Sequence, residues 1–310
     1  MVWLPLLVPF LAGPAGRRLV SCLPPRQAAW LLAVTAAGLA AGSTAALALL
    51  VVPGATHLPA VAALGRLLTP LSAGAPDTVV AVAITALALA LLVLCACLFV
   101  RNLHRRWTQL GWARRLAARA DGELLVLADE LPDAYALPGR PGRIVVTAGM
   151  LRALTAAERE ALLAHERAHL RGRHHLFAAV IELSSLCHPA LGALREPLAY
   201  ALERCADEDA ARAVGDRRLT ARAIGKAALA ARGAERRPGL ALAATAGPVP
   251  RRVAALLEPR TRTARALPKT GIAIVAMLLA CPTLSAASAL EAASDLHTSI
   301  EVAQGELRSP

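Results

Sequence analysis

From Ala28 to Val52 the chain runs for 25 residues without a charged side chain, and no other feature restricts its fold as strongly. A helix of that length rises about 37 Å, more than the roughly 30 Å hydrocarbon layer of a bilayer. Within such a layer only a backbone that satisfies its own polar groups persists, so this stretch is expected to be a membrane-spanning helix. Three further apolar segments share its character. Residues 1–12 begin at the N-terminus without the positive charge of a secretory signal, which favours a short span over a leader. Thr78–Val100 and Thr270–Leu290 complete a set of about four, the last carrying Pro282. With 56% hydrophobic residues and a mean hydropathy of +0.50, the composition is too apolar for one soluble globule.

Charge then orients the spans. Residues 1–100 carry 4 basic and 1 acidic side chains, 101–269 carry 29 and 17, and 270–310 carry 1 and 4. Short basic loops stay on the cytoplasmic side, so Arg17, Arg18 and Arg26, and the arginines that begin at Arg101, are expected there, with both termini outside. Trp107 and Trp112 suit a third span continuing into the headgroup layer, which accounts for the basic stretch around them; no nucleic-acid partner is expected. The six cysteines, at 22, 95, 97, 187, 205 and 281, have no framework spacing and read as reduced thiols.

The segment 101–269 is long enough for one domain. Short β-type runs at 123–128, 133–137 and 143–147 precede helical patterns at 155–170, His174–Leu194 and Pro197–Val214, the last closed by Gly215. Residues 231–250 read as a Gly/Pro/Ala-rich connection and Arg251–Leu257 as a short helix leading to the fourth span. The fold class is therefore α+β: a multi-span helical membrane protein with a cytoplasmic domain between spans three and four, and a short tail at 291–310.

Within that domain stands His165-Glu166-x-x-His169, preceded by Thr155-x-x-Glu158, which has the form of a helix-starting capping box. Histidines four apart on a helix emerge on one face and can converge on one ion, for which neutral imidazole suits Zn²⁺. Glu166 beside them is placed to act as general base on a water acidified by the metal. A catalytic zinc needs a third protein ligand. Glu203 and Asp207, spaced i and i+4, offer a ligand and a carboxylate that holds a zinc histidine by its other ring N–H. The same pair also fits a solvated acidic face, and His188, before Pro189, is a rival ligand. His174 and His175 lie too close to His169 along the helix to reach the same ion and read as surface or membrane-proximal.

These residues resemble a family. His165-Glu166-x-x-His169 with Glu203-x-x-x-Asp207 downstream, preceded by Asp133–Gly139 and Ile144–Leu151, is similar to the gluzincin membrane metallopeptidases of the HtpX/CAAX prenyl protease type and the BlaR/MecR antirepressor type. The likeness is nearest to the second, with three spans before the zinc domain, one after it, His188-Pro189, and Arg251-Arg252-Val253 in order. It implies a gluzincin-type zinc metallopeptidase domain binding one Zn²⁺ through His165, His169 and Glu203. It further implies Glu166 as catalytic acid/base and Asp207 behind a ligand. The β-lactam sensors carry a large domain after the fourth span, whereas 20 residues follow Leu290 here, so β-lactam sensing is not expected.

The expected function is that of an integral membrane zinc endopeptidase acting on cytoplasmic regulators or membrane proteins, with protein substrate and lipid bilayer as partners. Arg143–Thr147 is a candidate edge strand for binding substrate as an added strand. The competing class is a non-enzymatic membrane transducer or scaffold with a structural zinc. Such a site usually closes with four protein ligands and has no use for Glu166.

Overall fold

The computed structural model describes residues 3–55, 78–117, 122–232, 249–258 and 269–304. Most of the expected connection at 231–250 and of the loop at 53–77 lies outside the described residues. The described residues are mostly helical, with one small sheet among them.

The N-terminal segment forms α1 (Leu4–Leu7) and α2 (Pro9–Cys22). They part at Val8, because Pro9 has no N–H to offer the carbonyl four residues back, that of Pro5. The Ser43 hydroxyl donates to Pro5 O at 2.7 Å, and His188 Nε2 donates to Leu6 O at 3.0 Å. Arg17 and Arg18, expected in a short loop after the first span, instead stand on α2. Packing explains the continuation. A Cβ on Gly13 would meet Ala193 Cβ at 2.7 Å and one on Gly16 would meet Leu194 Cδ2 at 2.8 Å. The two glycines thus let α2 lie directly on a 3₁₀-helix, Pro189–Leu194.

The long apolar helices are α3 (Pro25–Ala55) and α4 (Thr78–Ala117). Among the described residues, two helical stretches are long and apolar enough to cross a membrane, Pro25–Val52 and Val82–Gln109. The first is central, burying Leu32, Ala36 and Leu39, while the second leaves Leu87, Val93 and Val100 exposed. The expected first and fourth spans fall on α1–α2 and on the helix Lys269–Gln304, which are not among the two.

Strands β1 (Leu124–Leu127), β2 (Ala134–Leu137) and β3 (Arg143–Thr147) form a sheet in the order β1-β3-β2, with β3 parallel to β1 and antiparallel to β2. The central place of β3 corrects the expectation that Arg143–Thr147 is an edge. Its consecutive Ile144, Val145 and Val146 are all buried, the pattern of a strand covered on both faces. The edge beside the functional helix is β2.

The Thr147 hydroxyl accepts the Met150 N–H and starts α5 (Ala148–Ala153). The capping box forms as the sequence spells it, with the Thr155 N–H donating to Glu158 Oε2 at 3.0 Å and opening α6 (Ala156–Arg171). α7 (His174–Cys187), the 3₁₀-helix, α8 (Arg195–Val214), α9 (Arg217–Arg232), α10 (Val249–Leu257) and α11 (Lys269–Gln304) follow. One apolar core runs through both halves of the chain, joining Ile181, Leu194, Leu198 and Leu202 to Leu32, Leu39 and Leu278. Asn102 and Arg106 on α4 also hold Glu182 on α7, at 2.6 and 2.5 Å.

Candidate metal centre

Three helices build the site. α6 contributes His165, Glu166 and His169, α8 contributes Glu203 and Asp207, and α10 contributes Arg252. α8 packs close to α6 because Ala206 and Ala210 on its inner face are fully buried and small. One donor atom each of His165, His169 and Glu203 lies within 4.8 Å of the others. The Nε2 atoms of the two histidines are 3.1 Å apart, Glu203 Oε2 is 3.5 Å from His165 Nε2, and Glu203 Oε1 is 3.5 Å from His169 Nε2.

These separations suit a metal ion. Ligand atoms about 2.0–2.1 Å from a tetrahedral centre are about 3.3–3.4 Å from one another. Glu203 turns one carboxylate oxygen to each histidine Nε2 at 3.5 Å, the long end of hydrogen-bond reach and close to the separation of two ligands on one ion. The residues present therefore fit a divalent ion held by His165, His169 and Glu203.

Behind them lies a buried charge network. Asp207 is fully buried, with its Oδ1 3.1 Å from His165 Nδ1, although the ring N–H is not squarely aimed at it. Arg252 forks onto Asp207, Nε to Oδ2 at 2.9 Å and Nη2 to Oδ1 at 2.6 Å, and its Nη1 reaches Glu203 Oε2 at 2.7 Å. Burial would raise the pKa of Asp207, but Arg252 and His165 outweigh it and hold the carboxyl below its ordinary value. Burial likewise opposes ionisation of Glu203, and His165 with Arg252 pulls it well below the usual carboxylate range. On His165 burial opposes a charge, yet Asp207 and Glu203 raise its pKa to about 10. Burial and the neighbouring His165 hold His169 down to about 3.

Glu166 sits apart from these pairs. It is buried, which pushes its pKa up to about 7 against the pull of His165, near the operating point of a general base at neutral pH. The Ala136 N–H donates to its carboxylate. Because Asp133 O accepts the Thr147 N–H of β3, alternation turns Ala134 and Ala136 toward the outer edge of β2. Glu166 and His165 also wall a hollow whose far side is apolar, lined by Met150, Leu162, Ile224 and Ala227.

All five residues singled out by the sequence lie in this region, and the rival does not. His188 is spent on Leu6 O and packs edge-on against Phe10, at 5.4 Å between ring centroids. Two residues of this cluster were not singled out by the sequence. Arg252 had a signal: Val249, Arg252, Val253 and Leu256 form one helical stripe, and an arginine inside an apolar stripe needs a buried partner. His174, expected at a surface, is buried, with Nδ1 2.8 Å from His169 Nδ1. The expectation fails because α6 ends before it, and the chain turns back at Arg173.

The family model of Peptidase family M48 matches residues 100–260, just over half of the chain. No curated protein and no solved structure matches.

Proposed function

The chain belongs to peptidase family M48, and from that premise we propose that it is a membrane-integral zinc endopeptidase acting on cytoplasmic regulators or the cytoplasmic parts of membrane proteins. The observation that carries this reading is the convergence of His165, His169 and Glu203 beside a buried carboxylate, Glu166, that belongs to none of their ion pairs. Zinc held there would acidify a water and polarise the scissile carbonyl. Glu166 takes the proton of the attacking water and returns it to the leaving amine. Asp207 holds His165 from behind, and Arg252 keeps Asp207 and Glu203 ionised. The outer edge of β2, with Ala134 and Ala136 turned toward the site, receives the substrate backbone as an added strand. The hollow lined by Met150, Leu162, Ile224 and Ala227 takes an aliphatic side chain of the substrate next to the cleaved bond. Four spans, an inward-facing catalytic segment and external termini complete the topology, on the strength of Arg17, Arg18 and Arg26 between the first two spans and of Arg101, Arg105, Arg106, Arg114, Arg115 and Arg119 directly after the third. That order of spans is the ground for placing it nearer the antirepressor type.

The test is hydrolysis of an unfolded protein by the full chain in detergent. Cleavage should stop on chelation, return with zinc and favour bonds flanked by aliphatic residues. A zinc-loaded protein that cleaves nothing would reduce the site to a structural zinc in a scaffold.

A further inference from the structure

We propose that His174 is the positioning partner of His169, accepting the ring N–H that fixes which nitrogen His169 presents to the metal. The inference rests on the reading of His169 as a ligand. To offer Nε2 toward the point shared with His165 and Glu203, His169 must carry its proton on Nδ1. That nitrogen lies 2.8 Å from Nδ1 of His174, with the rings edge to face at 89°. Two nitrogens so close cannot both be protonated or both bare without cost. His174 Nδ1 is therefore the acceptor, and its own proton sits on Nε2.

The local backbone is built for this contact. Arg173 adopts φ 49°, ψ 42°, a left-handed conformation that side-chain-bearing residues avoid. Gly172 has no room for a side chain, because a Cβ there would lie 2.4 Å from His174 Nε2. A corner needed only to connect α6 to α7 has no reason to leave space for the His174 ring. The result is an asymmetric site in which His165 is backed by an anion, Asp207, and His169 by a neutral ring.

The experiment measures zinc affinity of the full chain in detergent by competition with a chromophoric chelator. His174→Phe keeps a buried ring but removes the acceptor, and it should weaken zinc binding roughly 10- to 100-fold. His174→Asn restores an acceptor near Nδ1 and should recover most of that loss, which a purely structural role would not allow. Gly172→Ala touches no ligand, yet should also weaken binding by displacing His174. Wild-type affinity in folded His174→Phe, or an equal loss in His174→Asn, overturns the proposal. His169→Ala separates the layers: if it too binds zinc as wild type does, the metal-site reading itself has failed.

Discussion

Asp207 is completely buried, and a carboxylate in that position needs a counter-charge that stays with it. Arg252 supplies it through two parallel hydrogen bonds, a geometry that a lysine cannot reproduce. Arg252→Ala should therefore destabilise the protein by about 3–5 kcal/mol, the typical cost of stranding half of a buried ion pair. Arg252→Lys should recover only part of it. Thermal unfolding of the three proteins in one detergent checks this, and an alanine variant as stable as wild type would remove Arg252 from the account. At this scale the sequence showed the residues that converge and concealed those packed behind them. His165, His169, Glu203 and Asp207 were legible because a spacing of four on a helix puts side chains on one face whatever the tertiary fold. Arg252 is far from them along the chain and is one of 34 basic residues, so its partners appear only when α10 packs on α8. His174 was misread because helical spacing was carried through a corner that reverses the chain.

α6 is the element that positions the chemistry, and its first turn is fastened at two levels. Glu158 closes the capping box with Thr155, and it also pairs with Lys226 on α9 at 2.7 Å. The Lys226 hydrogen bond, then the Thr155 N–H, lowers the pKa of Glu158 from 4.5 to about 2. A carboxyl depressed in the folded state stabilises above its unfolded pKa and loses that contribution as pH falls through its folded pKa. The stabilisation from Glu158 should thus be complete above about pH 4.5 and disappear toward pH 2. Melting curves over this range should show Glu158→Gln less stable than wild type at pH 7, with the gap closing in acid; a pH-independent gap would contradict the pairing. The capping box could be read directly, since it is a local motif. The strand order could not: β3 looked like a candidate edge until pairing with both β1 and β2 placed it in the middle.

For the whole molecule, the apolar runs at 28–52 and 78–100 became α3 and α4, because charge-free length alone nearly dictates such helices. The N-terminal segment was harder to read. Proline breaks it at Val8, and its completion depends on donors from Ser43 and His188, distant in sequence. The core shared by α2, α3, α7, α8 and α11 joins α8, which carries Glu203 and Asp207, to the apolar helices, and under the proposed membrane placement the site would lie close to the bilayer. If 101–269 faces the cytoplasm, a phosphatase reporter active only outside should be silent when fused after Ala230 and active after Leu290; the opposite pattern would reverse the topology and the substrate class. The central claim, that this centre hydrolyses peptide bonds with Glu166 as its base, is tested most directly by measuring zinc content and peptide turnover side by side in wild type and Glu166→Gln. The variant should hold one zinc per chain, as wild type does, while its turnover falls by orders of magnitude. Equal turnover at equal zinc content would contradict the claim.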